Sequence, residues 1–166
     1  MPAPPYVATA DRIAEAAHSG QVDKAGQPYI EHPRAVARLV IDLVSPEDRW
    51  MAMTASLLHD VLEDTDMTPF ALEAAGIPVE AVAIIRDLTH HKSEPRSEYL
   101  NRILVGHPLA LPVKIADVQH NLDEDRLARL DDVTRTRLLA KYSTEYALLD
   151  AEFTRRMKVA WAADDV

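Results

Sequence analysis

Cysteine is absent from this chain of 166 residues, and glycine (4 residues) and aromatic residues (5%) are scarce. Without cysteine there can be no disulfide framework and no thiolate site for zinc or iron–sulfur, so any metal must be bound by histidine and carboxylate ligands. Hydrophobic residues make up 48% of the chain, which excludes collagen-like, low-complexity and disordered classes. At this length we expect a single compact domain over residues 1–166.

Positive charge is in deficit, since 18 Lys and Arg oppose 27 Asp and Glu for a net charge of −9. This balance disfavours attraction to nucleic acid or to an anionic membrane. The amino terminus lacks a basic start followed by an apolar core, and no apolar run approaches the length of a membrane span. We therefore expect a cytoplasmic protein with a small-molecule partner and with neither nucleic acid nor membrane as a partner.

The spacing of apolar residues is helical almost throughout, which predicts an all-α fold. Proline, glycine and capping residues divide the pattern into segments. We predict helices at about 6–19, 33–43, 46–64, 69–76, 78–88, 99–106, 108–122 and 131–161, with a long polar loop (GQVDKAGQPYIEHP) after the first. The long final helix suits either the core or the surface of a homodimer, and its sequence does not decide between them.

Four polar residues interrupt an apolar helical pattern in the segment LLHDVLED, residues 57–64. On a helix, His59, Asp60, Glu63 and Asp64 fall within an arc of about 140° and form one wall of a site. Alternatively, the two later acids are solvated surface carboxylates and the histidine is a hydrogen-bonded packing residue.

A second set of metal-ligating residues supports the site. His32 precedes a proline in the long loop, and Asp117 lies in the segment KIADVQHN. With His59 and Asp60 they offer two imidazoles and two carboxylates, a mixture that suits manganese, iron(II) or zinc and leaves positions free for water and a phosphate oxygen.

These residues occur in the order His, His-Asp, distant Asp, and in this the chain resembles the HD-domain phosphohydrolases. Three segments, AHSGQVDKAGQPYIEHP, LLHDVLEDT and VKIADVQHNLD, resemble the hydrolase domain of RelA/SpoT-type alarmone enzymes, and most closely their small stand-alone members. The resemblance covers roughly residues 10–127. Three segments in the right order are far more specific than the two-letter His-Asp motif.

The resemblance implies an all-helical HD fold with a metal site between helices, one bound manganese ion, and removal of pyrophosphate from the ribose 3′ position of guanosine tetraphosphate or pentaphosphate. By position, the implied metal ligands are His32, His59, Asp60 and Asp117. Glu63 and Asp64 match the acidic pair that orients or deprotonates the attacking water and handles the leaving-group proton.

Two further matches concern the substrate. Lys24 matches a loop lysine that neutralises phosphate, and Asn121 matches an asparagine near the nucleoside. Alternatively, Lys24 is a free surface lysine and Asn121 caps the end of its helix. Asp23 stands where the larger alarmone hydrolases carry an arginine suited to stacking on guanine, and an acid cannot replace that cation. His18 and His120 also fall inside the matching segments.

The leading hypothesis is therefore a manganese-dependent 3′-pyrophosphohydrolase of guanosine 3′,5′-bis(diphosphate), which hydrolyses without synthesising because the chain has no space for a synthetase region. A nucleoside monophosphatase or 3′-nucleotide phosphatase on the same scaffold is the second hypothesis. A catalytically silent nucleotide-binding module is the third.

Overall fold

The computed structural model describes residues 2–164, with side chains described for residues 2–159. Within that range the chain forms ten α-helices and a 3-10 turn at Val40–Leu43. The helices are α1 (Pro5–Ala17), α2 (Glu31–Leu39), α3 (Arg49–Leu58), α4 (Val61–Asp64), α5 (Pro69–Ala74), α6 (Val79–Leu88), α7 (Arg96–Val105), α8 (Ala110–Asn121), α9 (Glu124–Leu127) and α10 (Asp132–Asp164). The all-α prediction is confirmed, since the described residues contain only one isolated β-bridge, between Val22 and Pro28.

Local sequence signals account for several helix ends. Helix α5 begins at Pro69, whose fixed φ suits the first turn, and the Thr68 hydroxyl accepts a hydrogen bond from the Ala71 amide at 3.2 Å. Gly76 follows the helix with a φ of +89°, a conformation that side chains with a Cβ rarely adopt.

Helices α3 and α8 form the centre of the fold. Helix α3 packs against α1, α2 and α6, whereas α8 packs against α2 and α10. Their apolar side chains are almost fully excluded from solvent, including Leu58, Leu111, Val113 and Ile115. Packing against several neighbouring helices holds these two helices in place, so polar residues at their ends are rigidly placed.

Two predicted boundaries are wrong where the site forms. His32 does not lie in the loop but in the first turn of α2, which begins two residues before Pro33. The predicted helix through Asp64 breaks at His59 and Asp60, which form a turn between α3 and α4. At this break Asp60 has φ −98° and ψ −8°, which depart from regular helical values.

Helix α9 is absent from the sequence prediction. Asp123 caps it by accepting a hydrogen bond from the Arg126 amide at 2.9 Å. A single turn is too short to show a hydrophobic period, so only the cap could have indicated it.

None of the helices described combines the length and the apolar character that crossing a membrane requires.

Candidate metal centre and cavity

Three separate parts of the fold bring four side chains to one point. Helix α2 supplies His32, the turn between α3 and α4 supplies His59 and Asp60, and α8 supplies Asp117. The Nε2 atom of His32 lies 3.1 Å from Asp117 Oδ1 and 3.7 Å from Asp60 Oδ2. The Nε2 atom of His59 lies 3.8 Å from Asp117 Oδ1 and 3.0 Å from Asp60 Oδ2. The ligand atoms of His32, His59 and Asp60 all lie within 4.8 Å of one another, and Asp117 Oδ1 lies beside both histidines. This arrangement suits donors that surround one small ion.

The orientation of His59 supports a metal ligand. Its Nδ1–H donates to the Ser56 carbonyl at 2.7 Å, so the lone pair of the neutral ring lies on Nε2. That Nε2 atom is buried and has no hydrogen-bond partner among the described residues, although a carboxylate oxygen of Asp60 lies 3.0 Å away. A buried polar atom without a partner is costly, and a metal ion would satisfy it. The donor set therefore fits a divalent ion.

Asp117 is held by its own helix. Its Oδ2 accepts a hydrogen bond from the buried Lys114 ammonium at 2.6 Å, and its Oδ1 accepts one from the Asn121 amide at 2.7 Å. Burial alone would raise the pKa of Asp117, but Lys114 and the histidines outweigh it and hold the pKa well below its ordinary value. The group is therefore an anion across the working pH range.

Asp60 is fixed by a residue that the sequence analysis does not single out. The Tyr29 hydroxyl donates to Asp60 Oδ2 at 2.5 Å. Burial, followed by the charge of Asp60, raises the pKa of Tyr29, so the phenol stays a donor. Tyr29 belongs to the matching segment that contains Pro-Tyr-Ile, but nothing local in that segment predicts its contact with a residue 31 positions away.

A cavity of about 420 Å³ opens beside this cluster, which is a size typical of small-ligand sites. The predicted metal ligands, the acidic pair and the two predicted substrate contacts all line it: Lys24, His32, His59, Asp60, Glu63, Asp64, Asp117 and Asn121. Proximity does not by itself test their separate roles.

Glu63 and Asp64 lie at the exposed side of the cavity, in α4. Glu63 Oε2 accepts a hydrogen bond from the His90 amide at 2.9 Å, which orients one carboxylate oxygen and leaves the other free. Partial burial raises the pKa of Asp64, and the charges of Asp60 and Glu63 raise it further. The acidic pair thus contains one oriented carboxylate and one that holds a proton more readily than an ordinary aspartate.

Cations line the other side of the cavity. Arg96 and Arg126 are engaged in ion pairs, with Glu145 at 2.7 Å and with Asp23 at 3.3 Å. Lys24 and Lys141 also line the cavity, and the Lys141 ammonium lies 4.7 Å from the centre of the Tyr142 ring. Burial lowers the pKa of both lysines, and neighbouring arginines lower it further. A cavity lined by both carboxylates and cationic side chains suits a metal-bound phosphate ester.

Asn121 contacts a predicted metal ligand, whereas His18 lies outside the cluster. The Asn121 amide is committed to Asp117, through both its carboxylate and its backbone carbonyl, so its nearest partner is a predicted metal ligand. His18 packs its ring 4.8 Å from that of Tyr29 and bonds to Gln21, outside the cluster.

Comparison with known proteins agrees with this geometry. The model of the family described as HD domain matches residues 10–165. The chain belongs to the HD-domain family. This membership confirms the resemblance inferred from the three segments, and the HD domain implies a divalent metal.

Several relatives of this HD domain are alarmone enzymes. A putative chloroplastic GTP diphosphokinase, RSH1, of Oryza sativa subsp. japonica is 45% identical over 134 residues, which are 70% of this chain and 15% of that protein. The bifunctional (p)ppGpp synthase/hydrolase SpoT of Escherichia coli K12 is 33% identical over 119 residues, 66% of this chain and 16% of that protein. The chain thus spans about a sixth of the length of these curated relatives.

A solved structure extends the similarity to the fold. It is that of a metazoan orthologue of SpoT described as hydrolysing ppGpp, and it matches with a TM-score of 0.69 and 23% sequence identity. The match covers 94% of this chain and 98% of the other. At this identity the likeness concerns the helical fold.

Proposed function

We propose that this HD domain is a manganese-dependent phosphohydrolase that removes pyrophosphate from the ribose 3′ position of guanosine 3′,5′-bis(diphosphate). The observation that carries the proposal is the convergence of His32, His59, Asp60 and Asp117 beside the acidic pair in a cavity with a cationic wall. The names of its alarmone-hydrolase relatives support the substrate.

In this proposal the four convergent side chains hold the ion. A divalent ion bound there supplies Lewis-acid activation of water and of a phosphoryl oxygen. Manganese suits a set of two imidazoles and two carboxylates, in which hard oxygen and borderline nitrogen donors are balanced.

The acidic pair handles protons. Glu63, oriented by the His90 amide, holds the attacking water and accepts its proton as the water oxygen bonds to the phosphorus attached to O3′. The bond between that phosphorus and O3′ breaks, and Asp64, whose pKa is raised, delivers a proton to O3′. The products are pyrophosphate and a nucleotide with a free 3′-hydroxyl, so the atoms balance.

The cationic wall binds phosphate charge. Lys24 and Lys141 are exposed and line the cavity, so their ammonium groups can reach phosphate oxygens there. Asp23 is an acid and supplies no cation that could stack on the base. Its carboxylate accepts hydrogen bonds from the loop amides of Ala25 and Gln27 and pairs with Arg126. The proposed preference for guanine therefore depends on other contacts.

Product identity tests the proposal against its alternatives. Purified protein is incubated with Mn²⁺ and, separately, with guanosine tetraphosphate, a nucleoside 3′-monophosphate and a nucleoside 5′-monophosphate, with a chelated control for each. Pyrophosphate release from the first compound alone supports the proposal. Inorganic phosphate from either monophosphate supports the phosphatase alternative, and nucleotide binding without any turnover supports the silent module.

A further inference from the structure

His120 occupies a position directly behind the predicted ligand His32. The Nδ1 atoms of the two imidazoles lie 2.7 Å apart, and their ring centroids lie 4.9 Å apart. His120 comes from the last turn of α8, so the contact joins α8 to α2 on the side of His32 that faces away from Asp60 and Asp117.

Arg126 completes a triangle with these two atoms. Its Nη1 lies 3.0 Å from His32 Nδ1 and 2.9 Å from His120 Nδ1. Its Nε pairs with Asp23 Oδ2 at 3.3 Å. Asp23 is itself held by two amides of the loop between α1 and α2 at 2.9 Å. The guanidinium therefore connects the loop, α9 and the two histidines.

Hydrogen-bond chemistry restricts where the protons of this triangle lie. A guanidinium only donates, and two imidazole nitrogens 2.7 Å apart cannot both carry a proton. If His32 binds a metal through Nε2, its proton lies on Nδ1. His120 Nδ1 must then be the acceptor, for both His32 and Arg126.

We propose that His120 is a positioning residue for the metal centre, whose Nδ1 accepts a hydrogen bond from His32 and so directs the Nε2 lone pair of His32 at the ion, and that Arg126, held by Asp23, donates to the same His120 nitrogen. The assignment rests on the proposed metal ligands and adds to them a supporting hydrogen bond. It also gives Asp23 a function in holding Arg126.

The acceptor atom can be tested with a matched pair of variants. His120→Leu removes the imidazole and every acceptor, whereas His120→Asn removes the ring but places a carbonyl oxygen near the position of Nδ1. Affinity for Mn²⁺ alone is measured by titration calorimetry on metal-free protein. We expect His120→Leu to weaken binding about 10- to 100-fold, with His120→Asn within about threefold of the original protein. His91→Leu, at an exposed histidine outside the triangle, is the control and should leave the affinity unchanged.

Each outcome decides a different point. Equal affinity in His120→Leu and the original protein would overturn the role of His120 while leaving the metal centre intact, and equal losses in the Leu and Asn variants would indicate packing alone. No binding by the original protein would overturn the metal centre and this assignment together.

A spectroscopic measurement covers the case in which His120→Leu does not fold. In the original protein loaded with Zn²⁺, long-range ¹H–¹⁵N spectra should show His32 protonated at Nδ1 and His120 protonated only at Nε2. A His32 ring protonated at Nε2, or a His120 ring protonated at Nδ1, would overturn the assignment.

Discussion

Asp60 and Glu63 lie three residues apart, yet the structure gives them different surroundings. Asp60 faces both histidines, while Glu63 lies at the open side of the cavity and contacts the His90 amide. We therefore expect Asp60→Ala to abolish metal binding and turnover together. Glu63→Ala should keep metal binding but lose about 10²- to 10⁴-fold in turnover, as is typical for loss of a general base. Calorimetry with Mn²⁺ and a product assay measure the two effects separately. Equal loss of metal in both variants would contradict the division.

We expect metal binding at His59 to depend on pH. Burial alone lowers the pKa of His59, but the carboxylates of Asp60 and Asp117 outweigh it and raise the pKa well above the ordinary value. A raised pKa favours the protonated ring in the metal-free protein, and a bound ion must displace that proton. We expect metal binding to release protons, and the affinity to fall as the pH is lowered. Calorimetry in buffers of different ionisation enthalpy measures the release, and binding without proton release would contradict it.

Sequence reasoning identifies the site residues that belong to compact motifs. His59, Asp60, Glu63 and Asp64 share one short segment, and their proximity follows from helical geometry alone. The contacts of Tyr29 and Arg126 are not accessible in this way, because they span 31 and 94 positions and carry no local signal. Packing between segments creates them, so only the folded chain shows them.

At the level of the elements, α3 is the support for the metal centre. Its last residue, Leu58, is completely buried and precedes His59 directly. We expect Leu58→Ala to lower the free energy of unfolding by about 2–5 kcal/mol through the lost burial and the cavity it leaves. Leu148→Ala in α10, where the side chain is 47% exposed, is the matched control and should cost less than about 1 kcal/mol. Denaturant unfolding measures the free energy of unfolding of both variants. Equal losses would contradict the assignment of α3 to the core.

The helical pattern predicts most elements but not the two details on which the site depends. Apolar periodicity continues through the segment around His59, so it predicts an unbroken helix where the structure has a turn. The sequence also does not predict that α2 begins before Pro33, because the nearby proline and glycine residues are typical of loops. Both deviations occur where side chains from separate helices converge on the candidate metal site. There the tertiary fold overrides the local preference of the sequence for helix or loop.

On the scale of the whole molecule, the metal centre joins parts of the chain that are distant in sequence. Its predicted ligands come from α2, the turn after α3, and α8. An ion that binds only the folded chain therefore stabilises the entire fold, by about 2.7 kcal/mol when its concentration is 100 times the dissociation constant. We expect a clear rise in the unfolding temperature with Mn²⁺ and no rise in Asp60→Ala, measured by calorimetric scanning. A similar rise in the variant would place the stabilising ion elsewhere.

The most direct test of the account is a titration of turnover against bound metal. Protein freed of metal is supplied with increasing Mn²⁺, and pyrophosphate release from guanosine tetraphosphate is measured together with the number of ions bound per chain. We expect no release without metal, and release that rises in proportion to binding and reaches its plateau at one ion per chain. Pyrophosphate release in the presence of a chelator, or full occupancy without any hydrolysis, would contradict it.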